Sequence, residues 1–245
     1  MGNLRNIFQK ETIVTDESFK HFENFIKQLP TKFPFFKHTI YARRNILKTT
    51  QFQGENLVVK SFQIPHLLNK IVYGTIRKSK AQRSFEYAQK LKSLGICTPQ
   101  PVGYYEIQNG LLFGTSYYVS QLSKCRYTIN DLVVQNDFPE REQILADLAL
   151  FTAKLHDLGI LHLDYSAENI LFDRIDDKTR LELVDLNRMR FCKIDLQIGC
   201  QNFERLNFDS ESLTLLAKVY AKARHFDENI CIKNILSMRW HKHQK

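Results

Sequence analysis

The sequence predicts an α+β fold of two lobes: a small N-terminal lobe built on an antiparallel sheet with one helix, and a mainly helical C-terminal lobe. Three observations carry this expectation. Short apolar segments bounded by turn residues recur at 56–60, 115–118, 170–172 and 181–184, the pattern of strands joined by tight connections. Helical spacing of apolar residues appears in two long runs, 80–94 and 139–158. The 245 residues, 43% of them hydrophobic, can bury a sizeable core as a single domain with a hinge, about 1–119 and about 120–245.

Taken in order, residues 1–30 mix polar and aromatic side chains and read as an arm or helix packed on the small lobe. The turn Gln53-Gly54-Glu55 introduces the strand Asn56-Leu57-Val58-Val59-Lys60. A helix then starts after Ser79 and stops before Gly95, with Phe85, Ala88, Leu91 and Leu94 at near-helical spacing. The strand Thr115-Ser116-Tyr117-Tyr118 leads to an expected hinge near Val119-Ser120-Gln121-Leu122, where backbone groups would meet a ligand held between lobes. In the 139–158 helix, Ile144, Leu145, Leu148, Phe151 and Leu155 share one face, so this helix should be the buried spine of the larger lobe.

The spine leads into the segment richest in chemistry. His162-Leu163-Asp164, four further residues, Asn169, and an Asp at 185, twenty-one positions after the first, form the pattern by which kinase-like phosphotransferases arrange a base and two metal ligands. Asp164 would orient and deprotonate an acceptor hydroxyl. Asn169 and Asp185 would hold magnesium against ATP, one carboxylate and one amide oxygen being a plausible protein share of that ion's shell. The strands Ile170–Phe172 and Leu181–Val184, joined around the turn residues Asp176–Thr179, should form a hairpin that brings Asn169 and Asp185 to one end. Any one of these residues alone would be read as a turn former; the ordered set is specific.

Lys60 is the candidate for the ammonium that neutralises phosphate oxygens, and Glu86, in the following helix, for the carboxylate that fixes it. The plain alternatives are an edge-strand lysine and a surface pairing of Glu86 with Lys90, which would contribute only about 0.3 kcal/mol. His156 and His162 read as structural residues bonding backbone near the loop.

The segments Lys80–Ala88, Leu94–Tyr104, Leu155–Asp164 and Asp185-Leu186-Asn187-Arg188 resemble the lipopolysaccharide kinase (Kdo/WaaP) family over roughly residues 35–225. The resemblance implies a bilobal protein-kinase-like fold and a bacterial enzyme that uses ATP and Mg2+ to phosphorylate a sugar hydroxyl of the lipopolysaccharide inner core, Kdo or heptose. It also implies a lipopolysaccharide core or lipid-linked sugar as partner. Relatives of this fold also phosphorylate proteins and other small molecules, and a pseudokinase binding module is a third reading.

Departures from the protein-kinase pattern bear on the acceptor. Residues 41–50 contain no glycine where a phosphate loop would sit, so Arg43, Arg44 or Asn45 would have to reach phosphates by side chain. Leu163 replaces the arginine that would receive a phosphorylated activation loop. Asn187 stands where protein kinases carry glycine, and Ser166 where many carry a lysine facing the transferred phosphate. Only sixty residues follow Asp185, without Ala-Pro-Glu, so the C-terminal lobe should be of reduced size and its peptide platform reduced. Arg188 and Arg190, just past Asp185, are the candidates for holding an acidic sugar or phosphate of the acceptor.

The net charge of +9, with basic clusters at Arg43-Arg44, 77–80 and 238–245, suits an anionic partner. Without a reader fold or a basic stripe interleaved with aromatics, a nucleic acid is not expected; an anionic membrane surface fits better, Trp240 suiting the interface. Five cysteines without paired spacing read as residues of a reducing cytoplasm. Neither a signal peptide nor an apolar span is recognised, so a cytoplasmic protein is expected, either soluble with a frayed basic tail or peripheral on the inner face of the inner membrane.

Overall fold

The computed structural model describes residues 9–43, 45–62, 78–109 and 112–240. The chain divides into two compact units, Met1–Lys92 with Pro99–Ser123, and Ser93–Thr98 with Lys124–Lys245.

The first unit is built on strands β1 (Gln9–Thr15), β2 (His38–Ala42), β3 (Asn45–Phe52), β4 (Glu55–Phe62), β5 (Pro101–Asn109) and β6 (Leu112–Gln121). They form one antiparallel sheet in the order β1-β5-β6-β4-β3-β2. The expected arm at the N-terminus is a strand from Gln9, followed by short helical turns that include α1 (Glu23–Lys27) and α2 (Leu29–Lys32). These turns set Phe19, Phe22, Phe25, Ile26, Leu29 and Phe33 against Leu57, Val59, Val102, Tyr105, Tyr117 and Val119 on one face of the sheet. Burying each such side chain contributes roughly 1.5–3 kcal/mol before the entropy of ordering it is subtracted.

Helix α3 (Lys80–Ser93) takes up the other face, where Ala81 and Phe85 pack with Phe62 and Tyr104. The two-residue period of β4 therefore places Lys60 on the side of Phe62 and α3, opposite Leu57 and Val59. β6 runs through Val119, Ser120 and Gln121, so these residues, expected at a hinge, belong to the strand.

In the second unit, α4 (Ile129–Val134) is closed by a capping box between Thr128 and Asp131. The spine helix α5 (Arg141–Asp157) buries Ile144, Leu145, Leu148 and Leu155, as its periodicity predicts, while Phe151 is half-buried. It packs against α7 (Ser210–Ala223), which is joined by α6 (Leu196–Gln201) and α8 (Glu228–Trp240). Two small antiparallel sheets carry the loops of interest. β7 (Tyr127–Thr128), β9 (Ile170–Ile175) and β10 (Lys178–Leu183) form one; β8 (Ile160–His162) and β11 (Met189–Phe191) form the other. The expected hairpin is β9–β10, in the register Ile170↔Leu183 to Ile175↔Lys178. Its turn is tighter than the four residues expected: Asp176 and Asp177 alone form it, at φ 48° and 61°, the left-handed pair that matches strand twist.

Candidate active site

The loop that carries Asp164 is set by its flanking strands. Gly159, at φ 69°, turns the chain from α5 into β8; a side chain there would bring a carbon within 2.8 Å of the Cys192 carbonyl. β8 pairs with β11, His162 opposite Met189, and Leu163 N–H donates to the Arg188 carbonyl at 2.8 Å. The segment just after Asp185 is thereby laid beside the segment just before Asp164.

His162 orients the turn. Its Nδ1 accepts from the Asp164 backbone N–H at 3.1 Å, so its Nε2 carries the proton and donates to the Val184 carbonyl at 3.1 Å. Asn169 donates from Nδ2 to the Asp164 carbonyl at 2.9 Å, which leaves its side-chain oxygen as the atom able to ligate a cation. Val184 N–H donates to the Asn169 carbonyl at 3.0 Å, so the hairpin end holds Asn169 next to the residue preceding Asp185. Asp185 sits at φ 56°, and its carboxylate accepts a short hydrogen bond from buried Asn187. A glycine at 187 could not make that bond. One carboxylate and one amide oxygen, both hard donors, meet the chemistry of a hydrated magnesium ion. Among the described residues no cluster of three or more His, Cys, Asp or Glu side chains is grouped for a metal.

A buried polar network supports the loop from below. Asn202, in the 3₁₀ turn Asn202–Arg205, donates to the His162 carbonyl at 3.0 Å, and its oxygen faces His156 Nε2 at 3.1 Å. His156 Nδ1 lies 2.8 Å from the Tyr220 hydroxyl. The expectation of backbone partners thus holds for His162, whereas His156 is bonded by two side chains. Burial, aided by the nearby Arg224 cation, pushes the His156 pKa down to about 4 against the opposing Asn202 hydrogen bond. Tyr165, fully buried after Asp164, shares a 2.8 Å hydrogen bond with Thr152 of the spine helix.

Two arginines reach the Asp164 carboxylate. Arg188 Nη1 is 3.6 Å from Oδ2, and Arg205 Nη1 makes a short contact with Oδ1. Arg188 was expected near the acceptor from its position after Asp185. Arg205 was not, because forty-one residues separate it from Asp164 and no spacing rule links them. Arg190, in β11 opposite Leu161, is exposed.

In the first unit, Lys60 is buried on the face that α3 covers, its Nζ 5.3 Å from the Phe62 ring centroid. Glu86 accepts from Lys78 at 2.7 Å and from Gln82, one turn earlier in α3, at 2.9 Å. Glu106, buried on β5 beside Ser79, has its pKa raised chiefly by burial, and the Glu86 charge adds to that. Arg43 stands at the tip between β2 and β3; Arg44 lies outside the described residues. Residues 77 and 241–245 of the basic clusters also lie outside them.

Residues 43–226 match the model of the lipopolysaccharide kinase (Kdo/WaaP) family. The chain is similar to a 3-deoxy-D-manno-octulosonic acid kinase of Vibrio parahaemolyticus serotype O3:K6 (strain RIMD 2210633), at 26% identity over 150 residues, 61% of this chain and 60% of that protein. A 58-residue stretch is 36% identical to a probable serine/threonine-protein kinase, fnkB, of Dictyostelium discoideum, covering 22% of this chain and 11% of that one. The chain therefore spans less than two thirds of the length of these curated relatives. Among solved structures it is similar to WaaP in complex with acyl carrier protein, with a TM-score of 0.65 at 15% identity over 95% of this chain and 97% of that one. The protein-kinase-like fold expected from the sequence is thus the fold observed.

Proposed function

Because the chain belongs to the lipopolysaccharide kinase (Kdo/WaaP) family, we propose that it transfers the γ-phosphate of ATP to a sugar hydroxyl of the lipopolysaccharide inner core. Of the two acceptor sugars, 3-deoxy-D-manno-octulosonic acid is favoured over heptose, on the similarity to a kinase of that sugar. The observation that carries the reading is the convergence of Asp164, Asn169 and Asp185 on one hairpin end, tied together by the 2.9 Å and 3.0 Å hydrogen bonds of Asn169.

In the proposed reaction the acceptor oxygen forms a bond to the γ-phosphorus as the bond to the bridging oxygen of ADP breaks, and Asp164 takes the hydroxyl proton. Asn169 and Asp185 would hold magnesium, which when bound neutralises charge on the phosphates. Lys60 contacts phosphate oxygens, with Glu86 as its positioning carboxylate, and Arg43 and Arg44 are further phosphate contacts. Arg188 and Arg190 face the acceptor.

The reading is tested by treating purified inner-core lipopolysaccharide with the protein, ATP and magnesium and locating any new phosphate by NMR. A phosphomonoester on the octulosonic acid, absent with Asp164→Ala, is the expected product. Phosphate on heptose would move the acceptor within the family; phosphate only on added protein or aminoglycoside would contradict the lipopolysaccharide assignment.

A further inference from the structure

We propose that Arg205, together with Arg188, is a specificity-determining residue that binds the acid group of the acceptor sugar, exchanging the Asp164 carboxylate for it. This rests on the kinase reading above and goes beyond it by naming what selects the acceptor.

One carboxylate lies within ion-pair reach of two guanidiniums, so Asp164, Arg188 and Arg205 together leave one positive charge uncompensated. The Arg188 and Arg205 side chains are 55% and 51% exposed, whereas that of Asp164 is 20% exposed. Each guanidinium has five donors in a fixed fork suited to a planar carboxylate, and Asp164 occupies only part of either fork. With half of each arginine side chain exposed, a second anion can approach the remaining donors.

Position adds to charge. Arg205 ends the 3₁₀ turn that Asn202 fastens to the catalytic loop through the His162 carbonyl at 3.0 Å, and Arg188 is fastened to the same loop by the 2.8 Å bond from Leu163 N–H. The backbone at both arginines is therefore anchored to the loop that carries the base, while their half-exposed side chains meet its two carboxylate oxygens. A carboxylate on the same sugar ring as the reacting hydroxyl would sit within reach of both. As it takes over the guanidiniums, the Asp164 oxygens are released to accept the hydroxyl proton. An uncharged sugar offers nothing to displace the arginines, and the base stays engaged.

The test compares transfer to a glycoside of 3-deoxy-D-manno-octulosonic acid and to its methyl ester, using wild-type protein, Arg205→Gln and Arg205→Lys. Wild type should prefer the free acid over the ester in kcat/KM, and Arg205→Gln should lower kcat/KM for the acid by about 10- to 100-fold, the size expected for a lost charge-assisted hydrogen bond. The same variant, in which Arg205 no longer engages the base, should raise transfer to the ester, and Arg205→Lys should recover part of the preference for the acid. Equal losses on both acceptors would overturn the proposal and leave Arg205 as a positioning residue of Asp164. Wild-type transfer to heptose but to neither octulosonate compound would overturn it too, while leaving the kinase reading standing; no Asp164-dependent transfer to any inner-core sugar would remove both.

Discussion

Asp164 and Asp185 are both carboxylates at the ends of short strands, but their surroundings differ, and on the proposed reading so do their roles. Asp164 is engaged by two arginines and has its backbone N–H fixed by His162, which suits a proton acceptor whose release is coupled to acceptor arrival. Asp185 is held in a left-handed conformation with Asn187 on its carboxylate, which suits a fixed ligand. Asp164→Asn should therefore reduce turnover by about 10²- to 10⁴-fold, the usual worth of a general base, with nucleotide affinity unchanged. Asp185→Ala should weaken ATP binding in magnesium and make it insensitive to the ion, as read by calorimetry with and without magnesium. Equal nucleotide binding by the two variants would show that the roles are misassigned. The spacing of Asp164, Asn169 and Asp185 was legible in the sequence because the family pattern is local to one loop and one hairpin. Arg205 and Asn202 were illegible, since their proximity depends on how the chain returns after α6, and no periodicity records that.

Among the elements, the catalytic loop owes its shape to what lies beneath it. The sequence showed the spine helix by its apolar spacing and the β9–β10 hairpin by its turn residues. It did not show the packing of α6 and α7 under the loop, which depends on a small residue meeting a tyrosine. Gly199 in α6 is that residue: a side-chain carbon there would fall 2.0 Å from the Tyr220 hydroxyl and 3.3 Å from His156 Nδ1. Gly199→Ala should lower stability by roughly 1–3 kcal/mol in urea unfolding, because both neighbours are buried and neither can swing to solvent. An unchanged midpoint would mean that the helices part without cost.

The same network makes stability depend on pH. His156 has its folded pKa depressed to about 4 from its ordinary 6.5, so the unfolded chain binds the proton more readily between those values. The stability is fully present above pH 6.5 and is lost as pH falls from there to about 4, by a total of about 3 kcal/mol. His156→Gln, which can still donate to Asn202, should flatten that part of the stability profile. A slope left unchanged by the substitution would assign it to other groups.

Considered as a whole molecule, the chain carries a net charge of +9, and no helix among the described residues is long and apolar enough to cross a membrane. Arg188 and Arg190 are exposed on the second unit. Basic side chains near an anionic surface contribute about 1 kcal/mol each. The protein should float with vesicles containing anionic phospholipid at low ionic strength and detach at about 0.5 M salt, where screening is short-ranged. Equal flotation with neutral vesicles would contradict an electrostatic origin. The strands and helices were legible because their periods are properties of short windows. The end of β6 was less so, because the strand continues through residues that read equally well as a connection.

In the proposed reaction Asp164 serves transfer of phosphate from ATP to an inner-core sugar. The most direct measurement follows labelled γ-phosphate from ATP, with magnesium, into purified inner-core lipopolysaccharide, beside a generic protein acceptor and with Asp164→Ala in parallel. Label entering the saccharide with wild type and lost with the variant is the predicted result. Label entering only the protein acceptor, or entering the saccharide equally with Asp164→Ala, would contradict it.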